Sequence, residues 1–304
     1  MAELRAFPSP APPPSRALAA FVLLLAGLSS GCGTDGEREG TQVIATTGVL
    51  ADVAAEVAGP DAEVTQLIPD GADPHSFSLS ATDRLELEQA DLVVANGAGL
   101  EAGVPLEETD APIWELSDNA GELLATNEGA DGQDPHVWMD PTRVAAAMRS
   151  LGSALAKADP AAAEAYRQRA DDYAERLTAL HRDLQRMLRP IAPQDRELVT
   201  SHDSLGYFAD RYGFDVVATV FPATGAEAEA SAERLADLQA AVSDTGVAAV
   251  FAAEGDNPEV LDAATEATGV TVEAGLLVES PGEAEAYEEM LRRDAELIAA
   301  GLGG

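Results

Sequence analysis

The chain has 304 residues, 46% of them hydrophobic, and a formal charge of −36 from 54 acidic against 18 basic side chains. That length and apolar content supply a core for one large domain or two ordinary ones, and exclude a disordered polyanion. The charge leaves no basic patch for nucleic acid, and carboxylates spread along the whole chain read as a solubility surface, with a field that concentrates cations as the alternative.

At the N-terminus, Arg5 and Arg16 precede an apolar run over 17–28. The run is too short to cross a bilayer as a helix. A positive start, a short apolar stretch and small residues before a break form an export signal over 1–31. Cys32, the single cysteine, follows Leu28-Ser29-Ser30-Gly31 directly. This resembles a bacterial lipobox, in which the cysteine is lipidated and becomes the first mature residue. Ser29 stands where a large aliphatic residue is usual. An ordinary cleaved signal with an incidental cysteine is the alternative. One cysteine excludes an intrachain disulfide. Residues 32–41 are polar and glycine-rich, as a tether would be.

Strand-like and helix-like stretches then alternate. Strands are expected at 42–47, 63–68, 92–95 and 112–115, with helices at 48–58 and 81–90. The alternation predicts a parallel α/β sheet in a lobe covering 42–158. Asp140-Pro141 carries a helix start signal, an acidic cap followed by proline in the first turn, for a helix to about 157. Asp159-Pro160 repeats the signal. It opens a helix reaching about 189, with one apolar seam of Tyr166, Ala170, Tyr173, Leu177, Leu180, Leu184 and Met187. About 30 residues at 1.5 Å each give about 45 Å, long enough to brace two domains over 159–190. The alternation restarts in 191–304, with strands at 197–200, 215–220, 248–252 and 270–278 and helices at 232–242 and 283–300.

Asp-Pro-His occurs twice, at Asp73-Pro74-His75 and Asp134-Pro135-His136, in a chain with four histidines. Proline fixes its own backbone and extends the residue before it, so each triplet is a stiff loop that aims an imidazole. In parallel sheets ligands bind beyond the carboxyl ends of strands. His75 follows the second strand, His136 precedes a capped helix, and His202 follows the strand at 197–200, where Ser201 is placed to cap a helix. Three imidazoles and one carboxylate satisfy a tetrahedral divalent ion. His181 falls inside the long helix and reads as structural. Neither HExxH nor a cysteine pair is present.

Gly71-Ala72-Asp73-Pro74-His75, the stretch from Asp83 to Gly97, Asp134-Pro135-His136-Val137-Trp138-Met139-Asp140-Pro141 and Thr200-Ser201-His202-Asp203-Ser204-Leu205-Gly206-Tyr207-Phe208 together resemble the metal-specific solute-binding proteins of bacterial ABC importers, the ZnuA/TroA-like zinc and manganese family. The resemblance spans 42–302. It implies an α/β fold of two lobes, each with a parallel four-stranded sheet flanked by helices, joined by one long rigid helix. It implies metal held by His75 and His136 from the first lobe and His202 from the second. A fourth ligand is expected at Glu279, where the family usually has an aspartate. Glu254 matches a further acidic position and is expected behind the ligands. Imidazole donors favour Zn²⁺ over Mn²⁺. The family also implies a lipid-anchored monomer on the outer face of the cytoplasmic membrane, delivering metal to an ABC permease and its ATPase and catalysing nothing. The loop at 127–133, before the second Asp-Pro-His, is short and lacks the histidines that zinc members often carry. An exported zinc metallohydrolase and a surface adhesin with a structural metal are the competing classes.

Overall fold

The computed structural model describes residues 40–126, 132–219, 246–256 and 269–303, with six single positions between 236 and 265. The signal, Cys32, most of the loop at 127–133 and the helix expected over 232–242 lie outside the described residues or are only partly covered.

The first lobe holds β1 (Thr41–Ala45), α1 (Gly48–Ala58), β2 (Ala62–Gln66), α2 (Ala81–Leu87), β3 (Leu92–Ala95), β4 (Ile113–Glu115), α3 (Leu116–Asn119) and α4 (Pro141–Ala158). Its strands pair in the order β2-β1-β3-β4, all parallel. After α5 (Ala163–Leu188), the second lobe holds β5 (Glu197–Thr200), α6 (Gly206–Tyr212), β6 (Asp215–Thr219), β7 (Ala249–Ala253), β8 (Thr271–Leu276) and α7 (Tyr287–Gly303). Its order, β6-β5-β7-β8, repeats that of the first and is again parallel. Each sheet therefore reverses its strand order at one point, where ligands collect at strand ends.

Local chemistry sets the boundaries. Asp140 caps α4 by accepting from Thr142 N at 2.8 Å, with Pro141 in the first turn. Asp159 accepts from Ala161 N at 2.9 Å, but the turn it opens is a 3₁₀ turn over Pro160–Ala162, so α5 proper starts at Ala163. Along α5 the buried seam ends on Leu188 in place of the expected Met187, which is only partly buried. Four residues on from Leu184 continues the stripe better than three at 3.6 residues per turn. The expected strand at 270–278 is shorter, because the backbone turns off the sheet after Leu276. The helix expected at 81–90 stops at Leu87, where the chain tightens into turns.

The core is continuous across the two lobes. One cluster of buried side chains runs from Val43 and Leu50 through Trp138, Tyr173 and Leu184 to Phe208, Tyr287 and Ile298. Each sheet covers its outer face with a smaller cluster, around Ile44, Leu67 and Val93 in the first lobe and around Val199 and Val250 in the second. The lobes are thus packed on a shared apolar seam that α5 lines from end to end. Ion pairs reinforce it on the surface: Arg176 of α5 meets both Glu56 of α1 and Glu288 of α7.

Candidate metal centre

The two Asp-Pro-His loops are built alike. His75 N donates to Asp73 Oδ1 at 2.8 Å and His136 N donates to Asp134 Oδ1 at 2.9 Å. A carboxylate that accepts the backbone N–H two residues on makes an Asx-turn. The aspartate therefore shares with proline the work of aiming each imidazole. The second loop carries more support. Asp134 Oδ1 also lies 2.8 Å from His136 Nδ1, Asn96 Nδ2 donates to Pro135 O at 2.8 Å, and Tyr207 of the second lobe donates its hydroxyl to Asp134 O at 2.8 Å. Gly206, opening α6, lets the helix approach Asp134 so closely that a Cβ there would collide with the carboxylate.

In the second lobe, β5 runs into Ser201-His202. Ser201 does not cap a helix, as its sequence position suggested. Its Oγ accepts from Ala253 N at 2.9 Å, which ties the end of β5 to β7, and α6 begins only at Gly206 without a side-chain cap. Thr200 Oγ1 donates to His202 O at 2.8 Å and sets the turn that presents the ring. Glu279 follows β8. Leu277 N donates to Asp294 Oδ1 at 2.8 Å, and Val278 O accepts from Trp138 Nε1 at 2.8 Å.

These loops bring His75, His136, His202 and Glu279 together, with one ligand atom from each lying within 4.8 Å of all the others. His136 Nε2 and His202 Nε2 are 3.2 Å apart, and each is 3.7 Å from Glu279 Oε1. A tetrahedral ion with bonds of about 2.1 Å spaces its donors by about 3.4 Å. The separations among His136, His202 and Glu279 bracket that value, and His75 offers an atom within 4.8 Å of each. His75 Nε2 and Glu279 Oε2 are buried with no hydrogen-bond partner among the described residues, a costly arrangement unless something else binds them.

The charges point the same way. Burial alone would push His136 down, but the carboxylates of Asp134 and Glu279 carry it up to about 10. Burial lowers His202 to about 4, and the charge on His136 adds to the fall; His75 is lowered for the same two reasons. Burial would raise Glu279, yet contact with His136 holds it below the usual carboxylate range. The four groups among themselves thus keep one proton, on His136, and two neutral imidazoles. Neutral imidazole and carboxylate are the forms a metal needs.

Of the remaining sequence candidates, His181 stacks on Tyr212 with ring centroids 5.6 Å apart, away from the cluster. Glu254 is exposed. It stands just beyond β7 beside Gly282 and is not among the four converging groups. Sequence reasoning gave no role to Asp134, Trp138 or Asp294. The position of Asp134 two residues before its histidine was a usable signal. Trp138 and Asp294 carried none, because their partners lie far away in the chain.

The profile of a family described as zinc-uptake complex component A, periplasmic, matches residues 43–301. The manganese-binding lipoprotein MntA of Bacillus subtilis is 30% identical over 307 residues, covering 94% of this chain and 98% of its own. The zinc-binding protein TroA of Treponema pallidum is 28% identical over 294 residues, covering 92% and 95%. The solved structure of that periplasmic zinc-binding protein superposes with a TM-score of 0.78 at 27% identity, over 86% of this chain and 99% of the other. A mutant of the laminin-binding adhesin of Streptococcus agalactiae superposes with a TM-score of 0.77 at 25% identity, over 86% and 100%.

Proposed function

The chain belongs to the family of periplasmic zinc-uptake components, the non-catalytic, extracytoplasmic metal-binding partners of ABC importers, and from that premise we propose that it captures one Zn²⁺ between its lobes. The ligands are His75, His136, His202 and Glu279. The observation that carries this assignment is the convergence of four donors within 4.8 Å of one another, with His75 Nε2 and Glu279 Oε2 buried and without a hydrogen-bond partner among the described residues.

Three imidazoles favour zinc over manganese, which prefers oxygen-rich, higher-coordinate sites. One feature favours manganese: Glu279 Oε1 already faces His136 and His202 at 3.7 Å while Oε2 has no partner among the described residues, and a chelating carboxylate would raise the coordination number. The 30% identity to a manganese-binding lipoprotein supports the same alternative. Glu254 acts at one remove, beside the loop that carries Glu279. Residues 1–31 serve as the export signal, Cys32 as the lipid anchor and 32–41 as the tether. The lobes at 42–158 and 191–304, braced by 159–190, hand the ion as a monomer to a membrane permease and its ATPase.

Competition calorimetry with Zn²⁺ and Mn²⁺ on residues 33–304 tests the proposal, with His202→Ala in parallel. One tight equivalent of zinc, weakened in the variant, is expected. Tighter manganese would change the cargo and keep the site. Stoichiometric binding of neither ion would overturn the assignment.

A further inference from the structure

Glu279 is held by a residue of the opposite lobe. Trp138 lies two positions after His136, in the first lobe, and is almost wholly buried. Its indole faces the His136 ring edge-on, centroids 5.2 Å apart. Its Nε1 reaches across the seam to the carbonyl of Val278, the residue immediately before Glu279. The Trp138 carbonyl in turn accepts the hydroxyl of Tyr287 in α7. Tyr287 N donates to Asp52 of α1 at 2.9 Å, back in the first lobe. One polar chain therefore stitches α1, the His136 loop, α7 and the Glu279 loop together within an otherwise apolar seam.

The Glu279 loop is anchored on either side by buried side chains, Leu277 and Val278 before the ligand and Pro281 after it. Beyond β8, its backbone is fixed by Leu277 N on Asp294 and by the Trp138 contact. A buried carbonyl that loses its donor is costly, so the indole N–H sets where the loop can rest.

Resting on the ligand assignment above, we propose that Trp138 is a positioning residue for Glu279: its indole N–H fixes the carboxylate against the three histidines, and so sets how fast bound metal leaves. Trp138 does not touch the ion. Withdrawal of Glu279 requires this one interlobe bond to break, while the His136 loop stays in place.

The test is a cycle of four proteins, wild type, Trp138→Phe, Glu279→Ala and the double variant, with zinc dissociation followed by transfer to a chromogenic chelator. Phenylalanine keeps an aromatic ring beside His136 and removes the N–H. Dissociation is expected to speed up about tenfold in Trp138→Phe with a nearly unchanged association rate, and the same change should have almost no effect once Glu279 is alanine. An equal acceleration in both backgrounds would overturn the proposal, because the ring would then act through His136 packing or general stability. An unchanged rate in Trp138→Phe would overturn it too. If Trp138→Phe fails to fold, Tyr287→Phe frees the Trp138 carbonyl instead. A smaller acceleration that vanishes without Glu279 is expected, and one that persists would count against the proposal. Loss of zinc binding from wild type would sink the ligand assignment itself; a wild type that binds and an inert Trp138→Phe would sink only this inference.

Discussion

His136 is fully buried, and its Nδ1 rests on Asp134, itself bonded into its loop and covered by α6. Glu279 keeps 27% of its side chain exposed, follows a strand that has already ended, and leaves one oxygen without a partner. Both groups face the same point from opposite lobes, but His136 is tied by its own ring to a buried carboxylate, whereas Glu279 is placed through the backbone of the buried residues before it. A site that must both hold and surrender an ion gains from this division. The first lobe supplies the wholly buried group, and the second supplies the one that keeps some contact with solvent.

The comparison can be broken most severely at the fixed side. His136→Ala should weaken zinc by more than about a hundredfold, beyond the range usual for residues that only support a ligand. Calorimetry that found less than tenfold would mean that His136 is not central. Acidification comes next. A proton held on His136 up to about pH 10 must leave when metal binds, so affinity should fall about tenfold per pH unit from pH 8 towards pH 6. Titrations in buffers of different ionisation enthalpy would read the release of about one proton, and a flat profile would contradict the charge assignment. The same proton stabilises the metal-free fold. That contribution is complete below pH 6.5 and is lost as pH rises through about 10.

Asp134→Asn should cost about tenfold to a hundredfold in affinity, since it removes the carboxylate that orients His136. If affinity stayed at the wild-type level, the contrast between the two sides of the site would lose its basis.

Asp294 sharpens the comparison on the second-lobe side. Burial lifts its carboxyl from 3.8 to about 8, despite the Leu277 N–H that favours the charged form. The native state therefore keeps a proton that the unfolded chain releases, and the fold loses stability as pH climbs from about 4 to 8. Asp294→Asn can keep the acceptor for Leu277. It should raise stability by a few kcal/mol at pH 8 and leave it nearly unchanged at pH 4. Equal thermal shifts at both pH values would show that Asp294 is ionised in the fold. The smallest effect belongs to Glu254→Gln, which should alter zinc affinity by no more than about twofold, as expected for an exposed side chain away from the ligands.

The order of strands and helices could be read from alternation, turn residues and proline-led starts, and so could the long helix with its stripe from Tyr166 to Leu184. The four converging groups could be named because three lie directly beyond strands or beside an Asp-Pro pair, and the fourth by resemblance. Positions governed by distant contacts could not. Ser201 looked like a cap because its local sequence allows one; its hydroxyl is taken instead by Ala253 of β7, 52 residues away. Trp138 reads as one more apolar residue until Val278, 140 residues on, arrives at its indole nitrogen. Asp294 sits on a helix face that no periodicity marks as buried acid. Local chemistry is written along the chain, whereas the interlobe bonds that decide how the site is held exist only after both sheets have formed.

The most direct test is X-ray absorption at the zinc edge of the loaded wild-type protein. A four-coordinate ion with three imidazoles and one carboxylate oxygen, all at about 2.0–2.2 Å, is the predicted result. Two imidazoles or fewer, or a shell made mostly of water, would contradict a site closed by His75, His136, His202 and Glu279.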